Sequence, residues 1–192
     1  MTLAQSQSIH VIEKGSLKRA IFVDLAASRK TSADYTVIAT VGKDTEQNIY
    51  LLDIQRGRWT WPRAYGYIVS AILDNDIRLA GAETNGFQLA AFQELVSDER
   101  LADVAFYPVP VDSDKVSRSL VLSARGAAGK LYYAKGASWA EDLITEFVRF
   151  PNAAHDDIVD AVSGCVYLLN NFEVGDPIVE LDSIYSTPSW RS

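Results

Sequence analysis

Short apolar runs and longer periodic apolar stretches alternate along the chain. The runs at 20–26, 35–41 and 48–54 are rich in β-branched and aromatic residues and are joined by short polar segments, which predicts three antiparallel strands. Beyond them, apolar residues that recur every three or four positions predict helices, and short apolar runs between turn residues predict strands. The predicted helices span 62–75, 86–96, 114–125, 139–150 and 156–171, and the further strands span 78–83, 104–109 and 129–134.

This order of elements predicts an α/β domain with a mixed sheet, in which three antiparallel strands are followed by parallel strands and flanked by helices. The short strand at 129–134 could form one arm of a hairpin that begins near Gly126. Residues 1–18 are polar and weakly patterned, which indicates a linker or tail before a domain at 19–171. Residues 172–192 contain glycine, two prolines and several acids, which is typical of a C-terminal tail.

Composition narrows the classes of function. A chain of 192 residues, 48% hydrophobic and 22% charged, suits one globular domain. Its single cysteine, Cys165, excludes a disulfide within the chain and a cysteine-based zinc site. No apolar stretch approaches the roughly 20 residues of a membrane span, so no membrane partner is expected. The net charge of −7 excludes binding to nucleic acid by bulk charge, so such binding would need local basic patches and metal ions.

Four acids lie where acids are costly. Asp24 interrupts the first apolar strand, Glu83 closes the fourth, and Asp157 and Asp160 begin the last helix. Asp156 also lies four positions from Asp160, so it can share a helix face with it. If the first and fourth strands are neighbours, the acids converge, and carboxylate clusters suit Mg²⁺ or Mn²⁺. Two such ions are the machinery of phosphodiester hydrolysis.

Each acid also has a structural explanation. Asp24 could be a strand-end acid bonded to a turn, and Glu83 could cap the helix that follows. Asp156 or Asp157 could cap the last helix, where acids favour the positive end of the helix dipole. His155 is typical of a residue that makes local hydrogen bonds, although it could orient a carboxylate or contact phosphate.

Two basic patches are candidate nucleic-acid contacts. The first is a strand-and-helix segment that also contains Tyr132, Tyr133 and Trp139, and next to an acidic metal site it could hold DNA phosphates. Its members are Lys115, Arg118, Arg125, Lys130 and Lys135. The alternative is a solvated helix face. The second patch comprises Arg56, Arg58 and Arg63 with Trp59 and Trp61, and it could equally be an interaction surface.

At this point the sequence resembles a known family. Five segments, at 22–26, 33–36, 82–86, 114–118 and 150–161, resemble in order the C-terminal nuclease domain of tailed-bacteriophage terminase large subunits. The run 155–161, His-Asp-Asp-Ile-Val-Asp-Ala, is the most specific of them. The resemblance implies an RNase H-like fold and metal-dependent cutting of concatemeric double-stranded viral DNA during genome packaging. It assigns catalysis and metal binding to Asp24, Glu83 and Asp157, with Asp160 as an additional acid and Asp156 as the alternative ligand.

The resemblance also implies partners. The family's large subunit carries an N-terminal ATPase motor with a Walker motif, and this sequence contains no such motif. It therefore resembles a nuclease domain that begins in the interdomain linker and is expected to cut DNA without ATP but not to translocate it. Double-stranded DNA, the motor domain, the small terminase subunit and the portal protein are the implied partners, the last through residues 172–192. The implied location is the host-cell cytoplasm.

Two other functions compete with a nuclease. The first is a non-catalytic docking module of a packaging motor that binds the portal or DNA, in which the acids are structural and the C-terminal tail and the second basic patch bind protein. The second is an actin-like or sugar-kinase ATPase, which also carries an acid on its first strand. That class needs glycine-rich phosphate loops, and the segment 26–30 after the first strand has no glycine.

Overall fold

The computed structural model describes residues 14–26, 35–83, 87–109, 115–150 and 156–174. The strands are β1 Lys18–Asp24, β2 Thr36–Lys43, β3 Ile49–Gly57, β4 Leu79–Glu83, β5 Ala105–Val109 and β6 Leu131–Tyr133. The helices are α1 Trp61–Asp74, α2 Phe87–Val96, α3 Lys115–Ala127, α4 Ala140–Arg149 and α5 Asp157–Asn171. The predicted order of elements is confirmed, with ends that shift by a few residues. Among the described helices none is long and apolar enough to cross a membrane.

The six strands form one mixed sheet in the order β5-β4-β1-β2-β3-β6. β1, β2 and β3 are antiparallel neighbours, whereas β4 is parallel to β1 and β5 is parallel to β4. The predicted mixed sheet is therefore confirmed. The hairpin considered near Gly126 is wrong, because α3 continues past that residue and β6 pairs in parallel with β3. Gly129 ends the helix instead, with a φ of 70° that favours glycine.

Helices cover both faces of the sheet, which explains the uninterrupted apolar run in β1. Phe22 belongs to one core cluster, with residues of α3, α4 and α5, while Ile21 and Val23 belong to the other, with residues of α1 and α2. Successive residues of β1 thus point to opposite faces, and both faces are dry.

Helix α5 packs closely across β1. A methyl group added to Gly164 would lie 2.5 Å from the ring of Phe22, so the helix backbone rests almost directly on the strand. At the other end of α5, the ammonium groups of Lys18 and Lys43 donate hydrogen bonds to the carbonyl of Leu169, at 3.3 and 2.6 Å. Because Lys18 begins β1, α5 runs antiparallel to this strand. Its first turn therefore lies toward the end of β1.

The boundaries of the domain are packed. Leu17 is buried just before β1, inside the segment predicted to be a linker. After α5 the ring of Phe172 stacks on Tyr107 with centroids 4.0 Å apart. Residues 1–13 and 175–192, which hold most of the predicted linker and tail, lie outside the described residues.

Gly164→Ala should lower the free energy of unfolding by about 1–3 kcal/mol, because the added methyl group overlaps the ring of Phe22. Gly66→Ala on α1 is the matched control, since nothing lies within 4 Å of its added methyl group. Alanine should stabilise that helix interior by about 0.5–1 kcal/mol. Urea denaturation measures both changes. Equal effects of the two substitutions would contradict close packing of α5 on β1.

Candidate functional site

Asp24 and Glu83 end two neighbouring parallel strands. The register pairs Val23 with Ala82, so the next positions along the two strands are Asp24 and Glu83. Both acids lie on the face that α5 covers, because each is two positions beyond a residue in contact with α5, Phe22 or Gly81. Asp24 is half-buried and Glu83 is buried. The predicted adjacency of the first and fourth strands, on which the acid cluster depends, is thus confirmed.

The first turns of α5 lie above this edge of the sheet. Asp160 precedes Gly164 by one helical turn, about 6 Å along the axis. Asp24 lies two residues beyond Phe22, which is about 7 Å along the strand in the same direction. Because Gly164 rests on Phe22, Asp160 lies at about the level of Asp24. Asp160 is buried, with 6% of its surface exposed, and Asp157 is most of one further turn along the helix.

An arginine lies in the same cross-strand row as Asp24. The register pairs Asp24 with Val37 on β2 and Val37 with Arg56 on β3, so Arg56 is two strands, or about 10 Å, from Asp24. Its guanidinium stands over the ring of Tyr35, 4.0 Å from the centroid. Nη2 of Arg56 lies 3.6 Å from Oδ2 of Asp157. Arg56 was predicted as part of a nucleic-acid or protein-binding patch, and in the structure its charge faces an acid of the candidate site.

Sequence reasoning missed Glu146 on α4. Oε1 of this buried residue lies 3.3 Å from Nη1 of Arg56. Its other oxygen, Oε2, accepts hydrogen bonds from the backbone N–H groups of Ile158 at 2.8 Å and Val159 at 3.4 Å. The available signal was an acid on the apolar face of α4, three residues after Leu143 and next to Phe147.

Glu146 thereby does what a capping residue of α5 would do. Asp156 occupies the N-cap position but makes no capping hydrogen bond with its side chain. Of the two candidate caps, Asp156 thus has the N-cap position without the capping hydrogen bond, because a carboxylate from α4 accepts amides of the first turn. Cap propensity is a local property, whereas the observed acceptor lies twelve residues upstream of Ile158.

Burial controls the protonation of Glu146. Removal from water raises the pKa of its carboxyl group to about 7, against the opposing effects of the Ile158 amide and the Arg56 charge. The group therefore titrates near neutral pH. An ordinary exposed glutamate would be ionised well below that range.

The candidate acids, as the described residues place them, are not arranged as a complete metal site. Within the described ranges, no three Asp, Glu, His or Cys side chains are placed so that they could hold a metal ion. Asp157 instead pairs with Arg56. The chemistry of the donors nevertheless fits a hard divalent cation, since Asp24 and Glu83 end neighbouring strands and carboxylate oxygens are the ligands that such a cation prefers. His155 lies outside the described residues.

The predicted basic segment divides between two edges of the sheet. Arg125 donates to the carbonyl of Gln47 at 3.0 Å and Lys130 to that of Glu46 at 2.7 Å. These carbonyls belong to the turn that precedes β3, about 23 Å along that strand from Arg56. The structure therefore does not bring Arg125 and Lys130 beside the acids.

The other basic residues lie elsewhere. Lys115 and Arg118 are in the first turn of α3, which begins six residues after β5 ends beside Glu83. Their side chains lie outside the described residues. Lys135 is exposed in the segment after β6.

Comparison with known proteins identifies the family. The Terminase RNaseH-like domain matches residues 21–172, which is most of the chain. The chain belongs to the terminase RNase H-like family. No curated protein matches it.

Solved terminase nuclease domains share its fold. The human cytomegalovirus terminase nuclease domain superposes with a TM-score of 0.64, covering 80% of this chain and 83% of that one at 16% identity. The large terminase nuclease from thermophilic phage G20c, solved with bound zinc, gives 0.59 over 83% and 84% at 20% identity. The same phage nuclease with bound magnesium gives 0.60 over 79% and 81% at 19% identity. The predicted RNase H-like fold is confirmed.

Glu146→Gln should change how stability depends on pH. The folded-state pKa of Glu146 is about 7 and the ordinary value is 4.5, so folded protein binds the extra proton between these values. Stability of the wild type should therefore fall as pH rises from about 4.5 to about 7, by up to about 3 kcal/mol, and stay level below that window. A glutamine side chain cannot titrate, so the variant should lack this component.

Urea denaturation of both proteins between pH 4 and pH 8 would measure this difference. Glu141→Gln is the control, because Glu141 is exposed on the same helix. A constant stability difference between wild type and Glu146→Gln across the window would show that Glu146 has an ordinary pKa.

Proposed function

We propose that this domain is a divalent-metal-dependent endonuclease that cuts concatemeric double-stranded viral DNA during genome packaging. The observation that carries the proposal is the placement of Asp24 and Glu83 on neighbouring strand ends beneath the first turns of α5. Membership of the terminase RNase H-like family supports it. The substrate and the packaging role come from the resemblance in sequence.

Asp24, Glu83 and Asp157 are the proposed metal ligands, and Asp160 and Asp156 are the candidates for a further one. A bound pair of Mg²⁺ or Mn²⁺ ions would supply an activated water and offset the charge that develops on the phosphodiester. The metals recorded in related structures support this choice. The phage G20c nuclease was solved with magnesium, zinc and cobalt, and the cytomegalovirus domain was soaked with manganese.

The protein's own contribution is to hold several carboxylates at one end of the central strands, where Glu83 and Asp160 are buried. Repulsion between such acids favours their protonated forms unless cations are near. Arg56 supplies one positive charge beside Asp157 in this structure. Arg56 can stay beside Asp157 when a metal ion binds, since a carboxylate has two oxygens and each can accept more than one partner.

DNA phosphates are the proposed ligands of the basic segment. Lys115 and Arg118 have the stronger support, because α3 begins close in sequence to the strand end that pairs with Glu83. Arg125, Lys130 and Lys135 stay predicted contacts. The first two would reach only DNA that extends along the opposite edge of the sheet.

A non-catalytic docking module is the second candidate function. The pairing of Asp157 with Arg56 favours it, because an acid that is held by an arginine can be purely structural. In this role the domain would bind the portal protein, the motor domain or DNA without cutting. Such a module need not bind Mn²⁺.

Asp24→Asn and Asp157→Asn should each reduce plasmid cutting by more than about a hundredfold, because each removes a proposed metal ligand. Nicking and linearisation are measured with Mn²⁺, with Mg²⁺ and with EDTA. Asp74→Asn is the control, since Asp74 is an exposed acid at the end of α1. Cutting by Asp24→Asn at the wild-type rate would exclude the proposed site. Folded wild type that cuts with neither metal would favour the docking module.

Removing Lys115 and Arg118 together should weaken DNA binding and reduce the slope of log affinity against log salt by about 2, because two phosphate contacts are lost. The matched variant removes Arg125 and Lys130, and it should change the slope less. Binding is measured in EDTA on the Asp24→Asn background, so that no DNA is cut. The reverse order of effects would show that DNA lies along the opposite edge.

A further inference from the structure

We propose that Glu146 is a positioning residue of the nuclease site: its carboxylate holds the first turn of α5 and so sets where Asp157 stands. The proposal rests on the proposed function, because it concerns the position of Asp157, a proposed metal ligand. Glu146 acts through the backbone of α5 and not by touching metal or DNA. It lies outside the segments that carry the family resemblance.

The cap of α5 comes from another helix. The first N–H groups of a helix have no partner within the helix, and normally a side chain just before it accepts one of them. Here Asp156 occupies that place without doing so. The N–H groups of Ile158 and Val159 instead reach Oε2 of Glu146, on a different helix. The start of α5 is therefore fixed relative to α4.

The amides that Glu146 holds lie next to the proposed metal ligand Asp157. Ile158 directly follows Asp157, so the hydrogen bond of 2.8 Å is made one residue from the proposed ligand. Glu146 is 5% exposed and Ile158 is fully buried, so water cannot replace this bond when it is lost. Loss of the acceptor would leave a buried amide without a partner and free the turn to shift. A displacement of about 1 Å at a reacting group can cost about a hundredfold in rate.

Arg56 on β3 contacts both Glu146 and Asp157. Its Nη1 lies 3.3 Å from Oε1 of Glu146 and its Nη2 lies 3.6 Å from Oδ2 of Asp157. Oε1 of Glu146 makes no hydrogen bond, so its contact with Arg56 is ionic. The guanidinium also lies 3.8 Å from Oδ2 of Asp142, so two acids besides Asp157 hold it in place. Glu146 thus contacts both the first amides of α5 and the cation that lies beside Asp157.

Two nearly isosteric variants separate the acceptor from the bulk of the side chain. Glu146→Gln keeps an oxygen that can accept the Ile158 N–H, whereas Glu146→Met fills the same space with a poor acceptor. Mn²⁺ affinity, measured by calorimetry without DNA, should fall about tenfold in Glu146→Met and stay within about twofold of wild type in Glu146→Gln. In cutting assays Glu146→Met should lower kcat and leave the KM for DNA unchanged. Glu141→Met, on the exposed face of α4, is the control.

Hydrogen exchange gives a readout that needs neither metal nor cutting. Amides 158–160 should exchange faster in Glu146→Met than in wild type, while those of the second half of α5 stay protected. Wild-type Mn²⁺ affinity and exchange in Glu146→Met would overturn the proposal, and so would equal loss of Mn²⁺ affinity in the Met and Gln variants, which would assign the effect to charge alone. Wild type that binds Mn²⁺ but cuts no DNA would refute the nuclease function, and the affinity and exchange data would still decide the role of Glu146.

Discussion

The contact between Gly164 and Phe22 determines how the rest of this domain is arranged. Without a side chain at 164, α5 can lie directly on β1, and the antiparallel direction of the two elements brings the start of the helix to the end of the strand. Asp160 is thereby brought level with Asp24, while the parallel pairing of β1 and β4 adds Glu83 beside it. Backbone packing therefore places acids that are far apart in sequence on neighbouring strand ends and on the helix above them.

Such a gathering of acids is unfavourable unless positive charge offsets it. The guanidinium of Arg56 does so beside Asp157, and the backbone N–H groups at the start of α5 do so at the neighbouring Glu146. Both are fixed by the fold, and both act on the side of the site that faces β3. Asp24 and Glu83, on the central strands, lie about 10 Å or more from Arg56 across the sheet.

Sequence patterns predicted the elements well because burial leaves a clear mark on the sequence. An element buried on one face shows a periodic pattern of apolar residues, and a strand buried on both faces shows a continuous apolar run. The run 20–26 is apolar except for Asp24, since helices cover both sides of β1, and Asp24 could be recognised as an anomaly for that reason. Sequence patterns say less about a side chain whose partner is distant in sequence. Arg125 and Lys130 were grouped by proximity along the chain, yet they bind the turn before β3 at the far edge. Glu146 escaped notice because an acid next to Phe147 in an amphipathic helix shows nothing of the amides it will meet.

The cap supplied by α4 changes which part of the chain belongs to the site. A helix that is capped by its own preceding residue keeps its start when its neighbours move, because the cap travels with it. The start of α5 instead depends on the distance between two helices, and Arg56 extends that dependence to β3. In the proposed role of Glu146, a displacement of α4 would therefore change the position of Asp157, because Oε2 of Glu146 accepts the N–H of Ile158 at 2.8 Å. The cluster also reaches the exposed surface of α4, where Oδ2 of Asp142 lies 3.8 Å from Nη1 of Arg56.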